Sequence, residues 1–454
     1  MYNFLSHTDE IRQDMLKKIG LSSIEELFQN INPKVRINSE LNIPEGVSEL
    51  QAQRKLLNLA QKNTSTSNCI SFLGGGSYNR YIPACINTVI ERSEFITAYT
   101  PYQPEVSQGT LQVMYEYQSM ICNLTGMDVA NASVYDGATA SAEAILMASR
   151  LTKKTKALIS STLNPQYKAV INTYCAGESI QVEYLPIKNG KVDLEGLNNK
   201  EADTYACILI QNPNYLGCIE DVFAISEVSK RIKSKFIVAV DPVSLALLKS
   251  PAEYGADIVV GDIQPLGIGM SFGGPHGGFI ACKTEYLRQI PGRIAGMTKD
   301  RDGERAFTLT LQAREQHIRR AKATSNICSN QALMALAATT YLSVVGPEGL
   351  KEVANISTQR AHYLAEKINE ISGFKVLFSD FLYEFVVQIE GLSSDKLIEK
   401  MENQNILAGI KLDNKFEELK DCILICTTEM NDVKDINTFI DSLKEISAKY
   451  NLKS

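Results

Sequence analysis

The sequence predicts an α/β protein with one large, mainly parallel β-sheet, covered by helices on both faces and followed by a small α+β domain. Between about residues 70 and 325, short apolar and β-branched runs alternate with helical stretches, and these runs are apolar on both faces. Beyond about residue 330 the strands no longer alternate regularly with helices. A chain of 454 residues with 44% hydrophobic content is long enough to bury a large core and a smaller one.

Three parts are expected along the chain: a helical N-terminal arm (1–70), the large α/β domain (71–325) and the small C-terminal α+β domain (326–454). In the arm, Thr8 is expected to cap a helix that ends before Gly20. The arm is too small to bury much surface alone, so we expect it to wrap the main body or a partner.

The predicted strands of the large domain are 156–160, 180–185, 206–210, 236–240, 258–261 and 278–282. The small domain is predicted to contain, in order, a helix over about 349–371, strands 375–378 and 384–389, a helix capped at Ser393, a strand near Ile410, strand 422–426 and a final helix.

Charge and composition exclude several classes of function. A net charge of −6 argues against broad binding of nucleic acid. The N-terminus lacks a basic, apolar leader and no apolar run approaches membrane-spanning length, so a cytoplasmic protein without membrane contact is expected. Ten cysteines are then expected to be reduced. The four histidines are not close neighbours, and we expect no metal site.

A turn of small residues, 135–141, opens a helix that runs to about residue 150. Its free backbone N–H groups and positive helix end would suit an anion, with Gly137 and Thr139 contributing, although such residues also serve plain packing. Asp241 ends an apolar strand further along the chain. It is either a functional carboxylate or simply the residue that closes the strand.

Residues 256–278 combine a strand, a turn and a glycine-rich segment, without any lysine between Lys249 and Lys283. This order resembles the aminotransferase-like enzymes of fold type I, whose turn carries the lysine that binds pyridoxal phosphate. Counting back from Pro275 puts Gln264 at the lysine position, and a neutral amide cannot form an imine.

The resemblance implies a seven-stranded, mainly parallel sheet and a vestigial cofactor pocket made of Gly137, Thr139, Asp241 and Gln264. In such enzymes Asp241 would face the pyridine nitrogen. The loop position that usually presents an aromatic or histidine ring to the cofactor is Asn164 here. We therefore expect no cofactor bound covalently to this chain.

Four longer stretches resemble one family closely: AYTPYQPEVSQG (98–109), NASVYDGAT (131–139), GDIQPLG (261–267) and QAREQHIRRAKATSN (312–326). They are similar to the N-terminal half of the glycine cleavage P-protein, and the resemblance extends over nearly the whole chain. In some bacteria this long protein is divided into two subunits, of which the second carries the cofactor lysine.

The resemblance implies that this chain is the first of the two subunits. With subunit 2, which would bind pyridoxal phosphate, it would decarboxylate glycine and transfer the aminomethyl group to the lipoyl arm of H-protein, releasing carbon dioxide. The implied complex contains two copies of each subunit.

A subunit without its own cofactor can still lend side chains to its partner's site. The first candidate segment is the proline-rich loop with Tyr99, Tyr102, Gln103 and Glu105, which would form a wall around a small zwitterion. Alternatively, this loop only packs at an interface.

The second candidate segment is Thr324, Ser325 and Asn326, where related enzymes place a hydroxyl that reaches the partner's cofactor phosphate. The basic residues just upstream, 314–320, form either a solvated helix face or a docking surface for an acidic lipoyl domain.

Two rival interpretations remain open. In the first, the chain binds pyridoxal phosphate through another lysine, such as Lys249 or Lys283, although both lie far along the chain from the turn. Alternatively, it is a scaffold or regulatory subunit whose vestigial pocket binds a small anion.

Overall fold

The computed structural model describes residues 6–37, 39–413, 415–416 and 418–452. The chain divides into two compact units, one ending at residue 64 and the other beginning at residue 65. The first unit contains helices α1 (Asp9–Lys18) and α2 (Glu49–Ala60). The Thr8 hydroxyl accepts a hydrogen bond from the Ile11 N–H at 3.3 Å, which confirms the predicted cap.

The second unit is built on a seven-stranded sheet, in agreement with the predicted fold class. Up to residue 310, the strands of this sheet and five other strands are, in chain order, β1 (Ile70–Ser71), β2 (Val129–Ala130), β3 (Lys156–Ser160), β4 (Gln181–Leu185), β5 (Ile187–Lys188), β6 (Lys191–Val192), β7 (Cys207–Asn212), β8 (Lys235–Val240), β9 (Ile258–Asp262), β10 (Gly278–Cys282), β11 (Ile294–Lys299) and β12 (Arg305–Thr310). The spatial order of the sheet is β2-β10-β9-β8-β7-β3-β4. Neighbours from β9 to β4 run parallel, whereas β10 is antiparallel to both β9 and β2.

Helices cover both faces of this sheet. The helices of this part of the chain are α3 (Ala84–Ile90), α4 (Ser93–Ile96), α5 (Gln108–Thr125), α6 (Gly137–Thr152), α7 (Pro165–Gly177), α8 (Leu194–Asn198), α9 (Val222–Arg231) and α10 (Gln316–Arg319). Alternate residues of one strand belong to different apolar cores: Ile208 and Ile210 face one core, and Leu209 faces the other. This explains why the central strands are apolar on both faces.

The C-terminal elements are α11 (Ala332–Asn369), β13 (Phe374–Val376), β14 (Glu384–Ile389), α12 (Ser394–Glu402), β15 (Ile406–Leu407), β16 (Ile410–Lys411), β17 (Cys422–Cys426) and α13 (Val433–Tyr450). A four-stranded antiparallel sheet, β13-β14-β17-β16, packs against these helices. Helix α11 begins well before the predicted position and is interrupted at Gly346, where φ is 62°. Buried residues of α11 between 335 and 354 join a core of the seven-stranded sheet, and buried residues between 361 and 368 join the core of the four-stranded sheet.

The segment that follows the arm also joins the small domain. Strand β1 pairs in parallel with β15, and the ring of Phe72 lies 4.5 Å from that of Phe439. From there the chain passes to the large domain through residues 74–81, which we call the glycine strap. Within the described residues, no helix is both long and apolar enough to cross a membrane.

Candidate functional site

The turn after β9 contains Gln264 at the lysine position, and its side chain is only 1% exposed. Its Oε1 accepts a hydrogen bond from the Tyr78 N–H at 2.8 Å, and its Nε2 donates to the carbonyls of Tyr78 and Ile268, both at 2.9 Å. Every polar atom of the amide is thus bonded to backbone. The amide therefore holds the glycine strap beside the predicted pocket.

The N-terminus of α6, predicted as an anion site, is closed by groups of this chain. The Gly137 N–H donates to Asp262 Oδ2 at 3.1 Å, and the Thr139 N–H donates to Asp136 Oδ1 at 2.7 Å. The buried phenol of Tyr167 packs so closely on Gly137 that a Cβ there would collide with its hydroxyl. Two carboxylates therefore already occupy the positive end of this helix.

Asp241 is also committed to partners within the chain. Its Oδ1 accepts from the Val243 N–H at 2.9 Å, and its Oδ2 accepts from the Tyr383 hydroxyl, which belongs to the small domain. Burial raises the pKa of Asp241, opposed by the nearby positive charge of Arg80. Burial raises the pKa of Tyr383 as well, so its hydroxyl stays protonated and donates.

The space left between these groups is small. A cavity of about 30 Å³ remains, lined among others by Tyr78, Asn164, Tyr167, Asp241 and Asp262. Such a volume suits one or two water molecules rather than a pyridine ring with its phosphate. The residues of this pocket therefore do not fit pyridoxal phosphate.

Asn164 and Tyr167 both line this pocket, in ways that the sequence did not predict. Asn164 caps α7 through its Oδ1 and donates from Nδ2 to the Gly75 carbonyl at 3.0 Å, so it holds the strap. Tyr167, three residues later, supplies the aromatic ring, which sequence reasoning missed. A tyrosine in the first turn of a helix has no local signature that distinguishes it from a packing residue.

The four residues of the first candidate segment lie on the surface. Tyr99 is 90% exposed and Tyr102 is 49% exposed, and Gln103 and Glu105 are exposed as well. Such large exposed phenols are typical of interfaces rather than of free surface. The His317 ring meets the Tyr102 ring edge to face, with centroids 5.6 Å apart.

In the second segment, Ser325 is bonded within the chain. Its Oγ donates to Glu143 Oε1 at 2.6 Å and accepts from the Ile327 N–H at 3.1 Å. Thr324 and Asn326 have no such side-chain bonds among the described residues, and Asn326 is exposed. All three line a polar cavity of about 570 Å³ against α6 and α7.

The basic run upstream does not form one continuous helix face. Arg314 points inward, where its guanidinium donates to the carbonyls of Ile290 and Gly292, the latter at 3.0 Å. Arg319 and Arg320 are both exposed, and Arg319 donates to the Ala313 carbonyl at 3.1 Å. Only part of this run is therefore available to a docking partner.

Sequence reasoning missed Arg293, a buried residue that donates hydrogen bonds to Thr100 Oγ1 and to the Cys328 carbonyl. A lone arginine between a turn and a strand carries no sequence signal of its own. In the described part of the chain, no group of three or more His, Cys, Asp or Glu side chains is placed to hold a metal ion.

Comparison with known proteins now decides the family. The sequence profile of the glycine cleavage system P-protein matches residues 2–443. The chain belongs to the P-protein family. It is 49% identical to the probable glycine dehydrogenase (decarboxylating) subunit 1 of Carboxydothermus hydrogenoformans over 97% of this chain and 99% of that protein. Its identity to the protein of the same description from Geobacillus thermodenitrificans is 47%, over 98% of this chain and 99% of that one.

Solved structures agree with this P-protein assignment. A crystal structure of glycine decarboxylase (P-protein) of the glycine cleavage system, in inhibitor-bound form, matches with a TM-score of 0.91 and 38% identity, covering 98% of this chain and all of that chain. The glutamate decarboxylase of Lactobacillus brevis matches with a TM-score of 0.68 over 95% of this chain and 98% of that one, at 11% identity. The latter match concerns the fold alone, which is the predicted fold type I.

Proposed function

We propose that this chain is the non-cofactor subunit of a heteromeric P-protein. Together with subunit 2, it would decarboxylate glycine and pass the aminomethyl group to the lipoyl arm of H-protein, a disulfide acceptor. The complex would contain two copies of each subunit. The observation that carries this proposal is the filled pocket, in which Gln264 replaces the lysine and Asp262 bonds to the Gly137 N–H.

In this proposal pyridoxal phosphate is held by subunit 2, where it supplies the electron sink for decarboxylation. This chain would contribute a wall to that site. Tyr99, Tyr102, Gln103 and Glu105 expose phenol, amide and carboxylate groups that suit a small zwitterionic substrate. Closing the site with this loop would exclude water around glycine.

We further propose that the second segment reaches the phosphate of the partner's cofactor. Because the Ser325 hydroxyl is already bonded to Glu143, the Thr324 hydroxyl and the exposed Asn326 amide are the better placed donors. A hydrogen bond to an ionised phosphate is worth more than one between neutral groups. The cytoplasmic location expected from the sequence stays a prediction.

The proposal is tested by measuring glycine-dependent exchange of carbon dioxide with this chain alone, with subunit 2 alone and with both. Exchange that requires both chains supports it. Full exchange with subunit 2 alone would leave this chain a scaffold. Exchange with this chain alone would overturn the assignment of its pocket as non-catalytic.

The scaffold alternative included a vestigial pocket that binds a small anion. The carboxylate of Asp262 at the N-terminus of α6 disfavours it, because an arriving anion would have to displace a fixed negative charge.

A further inference from the structure

Arg293 directly precedes β11 and bonds residues in or next to the two segments that the proposed function lends to the partner. We infer that Arg293 is a positioning residue that holds both segments in place through one guanidinium group. The inference rests on the proposed function, since it concerns how the lent side chains are presented.

The first contacts of Arg293 are with the proline-rich loop of residues 99–107, which we call the Tyr99 loop. Its Nη2 donates to the Oγ1 of Thr100 at 3.1 Å, and its guanidinium carbon lies 5.9 Å from the centre of the Tyr102 ring. Thr100 stands between the two candidate tyrosines. This single arginine therefore bonds the Thr100 side chain, next to Tyr99, and also lies over the ring of Tyr102.

The next contacts are with the chain that follows Thr324. The same Nη2 donates to the Cys328 carbonyl at 2.9 Å, and Nη1 donates to Asn330 Oδ1 at 3.3 Å. Cys328 lies four residues after Thr324. The stretch that begins two residues after Asn326 is thereby bonded to the same guanidinium as Thr100.

The arginine itself is held firmly. Its residue is 5% exposed, and its carbonyl accepts from the Ala132 N–H at 2.8 Å beside the large sheet. The neighbouring Arg314 braces the turn before it by bonding the Gly292 carbonyl, while the Arg314 carbonyl accepts from the Thr324 N–H at 3.1 Å. Both segments are therefore held, through these two arginines, against backbone beside the large sheet.

This arrangement needs an arginine rather than any cation. The planar guanidinium presents several donors in a fixed fork, so it can bond Thr100, Cys328 and Asn330 at once. A lysine ammonium is a point charge on a flexible stem and cannot reach all three acceptors. Glu315, whose Oε2 is 4.0 Å from Arg293 Nε, supplies the nearest opposite charge.

The experiment uses the full complex with wild-type subunit 2 and compares Arg293→Lys, Tyr102→Phe, Thr324→Ala and the two double variants that contain Arg293→Lys. Turnover, cofactor retention and assembly are measured for each. Arg305→Lys is the matched control, because Arg305 also lies over a ring, that of Phe307, but is exposed. We expect Arg293→Lys to lower turnover about tenfold or more, since small misplacements of lent groups are costly.

The decisive readout is the coupling between substitutions. If Arg293 acts through Tyr102 and Thr324, its substitution should cost less turnover in the Tyr102→Phe background and less cofactor retention in the Thr324→Ala background. Suppose that Tyr102→Phe and Thr324→Ala each impair the complex, but that Arg293→Lys has no effect or an effect that is fully additive with theirs. That result would overturn the positioning role of Arg293 and leave the proposed function standing. Silent Tyr102→Phe and Thr324→Ala variants would overturn the proposed function and this inference together.

Should Arg293→Lys fail to assemble, Thr100→Val provides the same test, because it removes only one acceptor of the guanidinium. We expect a loss of turnover of roughly threefold, as for one modest hydrogen bond, again reduced in the Tyr102→Phe background. Full turnover of an assembled Thr100→Val complex would contradict the positioning of the Tyr99 loop by Arg293.

Discussion

The Gly137 N–H donates to the carboxylate of Asp262 at 3.1 Å, so the positive end of α6 is neutralised by an anion from the chain itself. Asp262 also accepts from the Gln264 N–H at 2.9 Å and lies 3.3 Å from His276 Nδ1. In an enzyme of fold type I, a cofactor phosphate would need such a helix end. Here the former pocket has been filled with internal partners rather than left open.

Replacing Asp262 tests this relationship. Asp262→Asn removes the charge at the helix end, and we expect the free energy of unfolding to fall by about 1–2 kcal/mol, measured by denaturant titration. Asp302→Asn, at an exposed position, is the control. In the wild type, phosphate should raise the melting temperature no more than chloride at equal ionic strength. A specific stabilisation by phosphate would support the anion-binding alternative.

Gln264→Lys alone should not restore a cofactor site. The substitution leaves the Tyr78 N–H without its acceptor and buries an ammonium, so we expect a less stable chain, by about 1–3 kcal/mol for the unsatisfied groups. Incubation with pyridoxal phosphate should give no imine that borohydride can reduce at residue 264. Gln61→Lys, on the exposed end of α2, should have little effect. A reducible adduct at residue 264 would show that the pocket is still open.

The buried carboxyl of Glu384 should make stability depend on pH. It accepts from the Gly75 N–H at 2.6 Å and the Tyr78 hydroxyl at 2.9 Å, yet burial raises its pKa from 4.5 to about 7. The folded state then binds the proton more tightly than the unfolded state, so this contribution is full below about pH 4.5 and is lost as pH rises to about 7.

We therefore expect the wild type to lose stability relative to Glu384→Gln between pH 5 and pH 7.5, by a few kcal/mol at most. Unfolding titrations at several pH values measure the difference. Glu366→Gln, on the exposed face of α11, should leave the pH profile unchanged. A constant difference between wild type and Glu384→Gln over this range would contradict the raised pKa.

The exposed phenols of the Tyr99 loop should matter for turnover. Tyr99→Phe or Tyr102→Phe should leave the complex assembled but lower turnover, on the order of tenfold to a thousandfold if a transition-state hydrogen bond is lost. Tyr363→Phe, at a half-exposed position of α11, is the matched control. Wild-type rates in both loop variants would remove this loop from the site.

Thr324 and Ser325 should respond differently to substitution. Thr324→Ala should weaken cofactor retention by the complex by roughly 1–3 kcal/mol, as expected for a lost charge-assisted hydrogen bond. Ser325→Ala should instead lower the stability of this chain, because it leaves Glu143 Oε1 buried without its donor. Cofactor loss caused by Ser325→Ala alone, at unchanged stability, would reverse these roles.

The sequence predicted the central sheet well, because strands covered on both faces are continuous apolar runs such as 207–212 and 235–240. It predicted only the second helical stretch of α11 and missed the first, which lies before Gly346. Gly346 and Pro347 resemble a helix end, and the preceding apolar stretch shows no single buried face. Hairpin β11–β12 was missed because its strands are partly exposed and are not continuous apolar runs.

For the candidate site, the sequence revealed what is missing but not what replaced it. Gln264 could be found by counting back from Pro275 to the position at which fold type I enzymes carry their lysine. The bonds of Gln264 to Tyr78, of Tyr383 to Asp241 and of Arg293 to Thr100 join residues more than a hundred positions apart. Such pairs depend on tertiary packing, which local patterns do not encode.

The central claim is that this chain does not bind the cofactor of the complex. The most direct test is to load the complex of both subunits with pyridoxal phosphate and reduce it with borohydride. Mass spectrometry of each separated subunit then locates the pyridoxyl group. We predict a stoichiometric pyridoxyl-lysine in subunit 2 and none in this chain. A stoichiometric adduct on any lysine of this chain, including Lys249 or Lys283, would contradict the account.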